Sequence, residues 1–115
     1  MTIQRYHVGP RLSEIVVHSN TVYLCGQIAD NLDKDAKGQT EEVLASIDRL
    51  LAEVGSDKKR ILAVTVYLAD MADFDKMNEV WAAWVPYGHT PARATVASNL
   101  ADCRYKVEMV VTAAL

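Results

Sequence analysis

Hydrophobic positions along the chain switch between a period of two and a period near 3.6, and the switches mark its elements. The residues 1–8 are mixed and supply a short edge strand, and Gly9-Pro10 breaks it. From Ser13 the β-branched run Ile15-Val16-Val17-His18 is followed by the polar step Ser19-Asn20 and by Thr21 to Ile28, which reads as a hairpin. Gly26 inside the second run implies a bulge or the close approach of another backbone. The polar stretch from Ala29 to Gln39 is the one sizeable loop. Val43, Leu44, Ile47, Leu50, Leu51 and Val54 then form a single stripe, predicting a helix over Thr40–Val54 with Glu41 and Glu42 in its first turn and Gly55 just beyond its end.

Ile61 to Ala69 reads as a strand, with Leu62, Val64, Val66 and Leu68 on one face and Ala63, Thr65 and Tyr67 on the other. Asp70 caps a second helix whose Phe74, Met77, Trp81 and Trp84 fall on one side, a core stripe rather than an aromatic binding box. Asn78, on the same helix, is read as a local hydrogen bonder. Pro86 and Gly88 end that helix. Two further runs close the chain, Thr90 to Val96 and Tyr105 to Thr112. In the first, Arg93, Thr95 and Ala97 share one face while Ala94, Val96 and Ser98 share the other; Pro91 suits the start of such a strand. Pairing the two runs as an antiparallel hairpin about Leu100-Ala101 sets Glu108 opposite Arg93. Two readings of that pair stay open: a cross-strand ion pair, and a small-anion site with a carboxylate beside it.

The order strands, helix, strand, helix, strands predicts an α+β fold: a single mixed β-sheet with two helices packed on one face. The uncovered face keeps apolar residues, which implies an oligomer whose sheets pack together.

At 115 residues, half of them hydrophobic, the chain makes one domain, 1–115, with a real core. Its net charge of −3, with twelve scattered Lys and Arg, lowers the expectation of nucleic-acid binding. No apolar run reaches membrane-spanning length, and the first residues lack the order of a secretion signal. Cys25 and Cys103 are too few for a disulfide framework and are expected to be reduced, in the cytoplasm. His7, His18 and His89 show no metal-ligand spacing, and there is no Gly-rich phosphate loop, so neither metal nor cofactor is expected. Cys25 is a nucleophile only if a base approaches it; a small core residue is the plainer reading.

Several of these pieces, in this order, resemble the Rid family of reactive intermediate deaminases, also called the YjgF family. They are Cys25-Gly26-Gln27, the strand ending Tyr67-Leu68-Ala69-Asp70, the Phe74…Met77-Asn78…Trp81 helix, Pro91-Ala92-Arg93 and the terminal Val107-Glu108 strand. The resemblance runs over about residues 8 to 114. It implies a fold like the small bacterial chorismate mutases, and a homotrimer with ligand sites in the clefts between subunits. It also implies hydrolytic deamination of enamines and imines such as 2-aminoacrylate to 2-keto acids and ammonia. By the same resemblance Arg93 holds the substrate carboxylate, Glu108 positions the attacking water, Gly26 and Cys25 line the pocket, and Thr95 contributes a backbone amide. Three positions depart from the family pattern: Thr95 where many members have cysteine, Arg11-Leu12 where many have a tyrosine, and Cys25 for the usual serine. They mark a divergent subgroup. Two other functions fit the same residues: a non-enzymatic, regulatory trimer binding small carboxylates or partner proteins through the same cleft, and a ribonuclease, which the negative charge and the lack of stacked aromatics disfavour.

Overall fold

The computed structural model describes residues 2–115. Six strands form one mixed sheet: β1 (Ile3–Val8), β2 (Ser13–His18), β3 (Thr21–Leu24), β4 (Ile61–Leu68), β5 (Ala92–Ala97) and β6 (Val107–Ala114), in the spatial order β1-β2-β3-β6-β4-β5. Two helices, α1 (Ala36–Glu53) and α2 (Phe74–Trp84), complete the fold, which is the α+β sheet-and-two-helix architecture expected. The core lies between sheet and helices. Val17, Val22, Val64, Val66, Val107, Met109 and Val111 from the sheet meet Leu44, Ile47, Leu51, Met77 and Trp81 from the helices.

The β1 edge strand and the β2–β3 hairpin follow the sequence pattern, with Ser19 in a left-handed conformation (φ 57°) at the Ser19-Asn20 turn. β3 stops at Leu24, short of the predicted Ile28, and only Gln27 returns to bridge Met109. β4 runs as predicted except that Leu62 leaves the core face. A register irregularity between Ile61 and Ala63 buries Ile61 and leaves Leu62 half exposed. The four aromatic and Met positions of α2 do face the core, Met77 and Trp81 buried and Phe74 and Trp84 packed at its margin.

Two predictions are corrected. α1 begins at Ala36, four residues early, because Asp35 caps it by accepting from the Gly38 N–H at 2.9 Å. Glu41 and Glu42 are therefore not in the first turn. Glu42 instead reaches back to the loop, accepting from the Asp30 and Asn31 N–H groups at 2.9 Å each and pairing with Lys34. Lys34 and the backbone donors hold its carboxyl below the usual range.

The larger correction concerns the last two strands. β5 and β6 run in opposite senses but do not pair. β5 lies parallel to β4 at the sheet edge, and β6 inserts between β3 and β4, antiparallel to both. The physical reason is burial. Val107, Met109, Val111 and Ala113 are at most 1% exposed and require a central place, whereas β5 offers mostly small or polar side chains. The connection 98–106 crosses the end of β4, pinned by Ser98 N–H to Leu68 O and Ala69 N–H to Lys106 O. Gln39, fully buried in α1, secures it further: its amide donates to Leu32, Lys34 and Arg104 carbonyls, and its oxygen accepts from the Lys106 N–H. One buried side chain thus joins the 29–35 loop to the β6 entry.

His7 has φ 53° inside β1 and binds Glu53 at the end of α1 at 2.7 Å, fastening the edge strand to the helix layer. The hydrogen bond and charge of Glu53 raise the imidazole's pKa above 6.5. A raised folded-state pKa means the contribution is present below the ordinary histidine range and lost as pH rises through the folded value. His7→Gln is therefore expected to lower the melting temperature relative to the parent at about pH 5.5 and to leave it equal at about pH 8.5. An equal deficit at both pH values would show that the ion pair contributes nothing.

Candidate functional site

The correction to β5 and β6 decides where each candidate residue lies. Strand alternation puts Arg93, Thr95 and Ala97 on the helix side and Glu108, Val110 and Thr112 on the open side. Arg93 stands opposite Val64 and Glu108 opposite Tyr67, with β4 between their strands. Three residues along and two strand spacings across make about 14 Å between backbones, on opposite faces of the sheet. The predicted Arg93–Glu108 pair does not exist within one chain.

Arg93 sits at the margin of the helix layer. Its Nη1 donates to Asn78 Oδ1 at 2.7 Å and to Met77 Sδ at 3.9 Å. Its guanidinium carbon lies 5.2 Å from the Trp81 ring centre and 5.9 Å from that of Phe74. Among the described residues no carboxylate pairs with it. Burial alone lowers its pKa, and a guanidinium stays charged through such a shift. Phe74 and Trp81 thus have a second use beyond the core: they flank the chain's own cation.

β5 is an edge strand, so half its backbone groups have no ladder partner. Because the Ser98 N–H points to β4, alternation turns the N–H groups of Ala94 and Val96 the same way and those of Arg93, Thr95 and Ala97 to the free edge. The free edge thus carries the Thr95 amide two residues along the strand from Arg93. The Thr95 hydroxyl is buried on the helix side with no hydrogen-bond partner among the described residues.

Glu108 is on the open face beside Gly26. A β-carbon at Gly26 would collide with the Glu108 carboxylate, so the glycine exists to let that side chain lie across the backbone. What approaches Gly26 is thus the Glu108 side chain, not the second backbone that the sequence pattern suggested. On its other side Glu108 lines a shallow cavity of about 280 Å³ with Tyr67, Ser98, Asn99 and Leu100. Cys25 is half-buried next door. Gln27 Nε2 donates to its carbonyl at 3.0 Å and to its Sγ at 3.4 Å. Burial, and then the charge of Glu14, push the thiol's pKa up, which opposes a thiolate nucleophile. Arg11 and Leu12, in the β1–β2 turn, are exposed at the same end of the sheet as Cys25, since the Cys25 N–H donates to Glu14 O. Among the described residues no cluster of His, Cys, Asp or Glu has the arrangement of a metal site, and no helix is long and apolar enough to cross a membrane.

Asn78 is the residue that sequence reasoning undervalued. Asn78 is four residues from Phe74 and three from Trp81 on a stripe of buried apolar positions, and a polar side chain on such a stripe requires a buried partner. Arg93 is that partner.

Residues 2–115 match the family model described as endoribonuclease L-PSP. The chain is 47% identical to the RutC family protein YoaB of Escherichia coli over the full length of both, and 46% identical to a RutC family protein of Haemophilus influenzae over 98% of each. Over 113 residues it is 30% identical to a chloroplastic protein of Arabidopsis thaliana named Reactive Intermediate Deaminase A, covering 91% of this chain and 59% of that one. Among solved structures, a YjgF family member from Neisseria meningitidis superposes with a TM-score of 0.95 at 44% identity, covering 99% of this chain and 95% of that one. Fold, element order and sequence agree: the chain belongs to the endoribonuclease L-PSP family, which is the YjgF or Rid family.

Proposed function

We propose that this chain hydrolyses reactive 2-imino acids and their enamine tautomers to 2-keto acids and ammonia, with 2-aminoacrylate, 2-iminopropanoate and 2-iminobutanoate as the substrate class. The observation that carries the reading is Arg93: a part-buried cation without a carboxylate partner, at an open sheet edge, beside a free backbone amide. The family's deaminase member in Arabidopsis supports it.

The substrate carboxylate lies on the guanidinium, whose planar fork fixes orientation as well as position. Glu108 accepts a proton from water as the oxygen attacks the C=N carbon and passes that proton to the imine nitrogen, giving a neutral carbinolamine. Glu108 then takes the carbinolamine hydroxyl proton as the C=O bond forms and hands it to the nitrogen as the C–N bond breaks, so that ammonia leaves and the keto acid remains. Fixing the carboxylate beside an aimed water removes much of the entropic barrier to a reaction that already runs in water. Neither a metal nor a covalent nucleophile is required by this scheme.

Arg93 and Glu108 can act on one small molecule only if different copies of the chain supply them. The open face fits such an assembly: Tyr23, Val96 and Val110 are 47%, 41% and 36% exposed, and each lies on that uncovered side of the sheet. We propose a homotrimer of rotational symmetry, in which β5 of one copy adjoins the open face of the next and each interface repeats the same cleft. The ribonuclease description attached to the family finds no basic track here, with a net charge of −3.

The test is release of ammonia and keto acid from enzymatically generated 2-iminobutanoate, alongside calorimetric binding of 2-ketobutyrate. Arg93→Lys keeps the charge and loses the fork, so binding should weaken by about 1.5–3 kcal/mol. Glu108→Gln keeps shape and an acceptor but cannot take a proton. It should bind 2-ketobutyrate as the parent does and lose about 10²–10⁴-fold in turnover. If neither variant differs from the parent, the site is elsewhere; if the parent binds but never turns over, the chain is a carboxylate-binding module.

Gly26→Ala forces the Glu108 carboxylate aside. It should reproduce the Glu108→Gln pattern, binding retained and turnover reduced, in a protein of unchanged oligomeric state. Full activity in Gly26→Ala would show that the placement of Glu108 across Gly26 has no bearing on the reaction.

A further inference from the structure

An arginine has five N–H donors, arranged so that Nε and Nη2 share one edge and Nη1 and Nη2 share another. In this chain Nη1 has two acceptors, Asn78 Oδ1 at 2.7 Å and, more weakly, Met77 Sδ at 3.9 Å. Among the described residues the Nε and Nη2 donors have no acceptor. The rings of Trp81 and Phe74, 5.2 Å and 5.9 Å from the guanidinium carbon, restrict the group's movement. The group is therefore oriented, and the edge left open is the side-on Nε–Nη2 fork, the one whose two parallel N–H bonds match a carboxylate.

The partner that sets this orientation is neutral. A carboxylate at position 78 would make an equally short bond and would also cancel the charge. An asparagine supplies the acceptor and leaves the cation uncompensated for an incoming anion. We propose that Asn78 is a positioning residue for substrate carboxylate: it ties down Nη1, presents the Nε–Nη2 edge to the ligand, and by being an amide keeps Arg93 available to an anion. The inference rests on Arg93 binding the substrate carboxylate, as proposed above, and extends it to the residue that selects the binding edge.

Asn78→Asp separates this role from a merely structural one. It conserves shape and acceptor, so a structural role is met as well or better, and the melting temperature should hold or rise. Carboxylate binding should nonetheless fall, with 2-ketobutyrate affinity by calorimetry weakened by about tenfold or more. Asn78→Ala removes the acceptor without adding charge. It should raise the KM for 2-iminobutanoate with kcat nearly unchanged, because the reacting carbon and Glu108 are not touched. Asn78→Asp binding 2-ketobutyrate like the parent would overturn the inference, as would Asn78→Ala with parental KM. A parent that binds 2-ketobutyrate tightly yet hydrolyses no imine overturns the deaminase reading alone; the Asn78→Asp calorimetry still decides the role of Asn78.

Discussion

The placement of β6 in the middle of the sheet is the constraint on which the rest depends. Its four inward side chains are almost wholly buried, and it holds β3 on one side and β4 on the other. An apolar strand of this kind gains most where both of its edges are paired and one face is covered. Its position forces β5 to the edge, and an edge strand carries free amides. It also places Glu108 on the open face, in reach of Gly26, while Arg93 is turned toward the helices on the far side of β4. The separation of cation and carboxylate within a chain is thus a consequence of core packing, before any question of chemistry arises.

That separation gives the two groups different environments. Arg93 is enclosed by aromatic rings, a thioether and a neutral amide, and its charge has no counter-ion among the described residues. Glu108 lies on an uncovered surface beside a small cavity with mixed polar and apolar walls. Had the two been neighbours, each would have neutralised the other and neither would serve a substrate. Keeping them on separate faces leaves both available, provided that a second copy brings them together.

Much of the fold was legible because it is local. Alternation assigned the faces of β5 and, apart from Leu62, of β4 correctly, the Phe74, Met77, Trp81 and Trp84 spacing identified the buried side of α2, and Gly55, with φ 80°, ends α1 where expected. Strand order was not legible. Alternation says which way a side chain points but not which strand lies alongside, so two adjacent runs were paired when a strand from elsewhere belonged between them. The start of α1 was missed because its cap, Asp35, stands in a run of polar residues and Gly38 follows it. The individual identities of Arg93, Glu108 and Gly26 were legible as anomalies: a charge in an apolar strand, and a glycine where a side chain would be normal. What joins Arg93 to Asn78 was hidden because that contact depends on how α2 lies over β5.

The central claim is that Arg93 and Glu108 act together from different copies of the chain. Two variants dead on their own, Arg93→Ala and Glu108→Gln, test it when unfolded, mixed in equal amounts and refolded together. In a closed trimer every mixed assembly contains one interface with both native residues. Random mixing then restores about a quarter of parental imine hydrolysis. No recovery from a mixture shown to have exchanged subunits would contradict the account, because a site built within one chain stays broken in every copy.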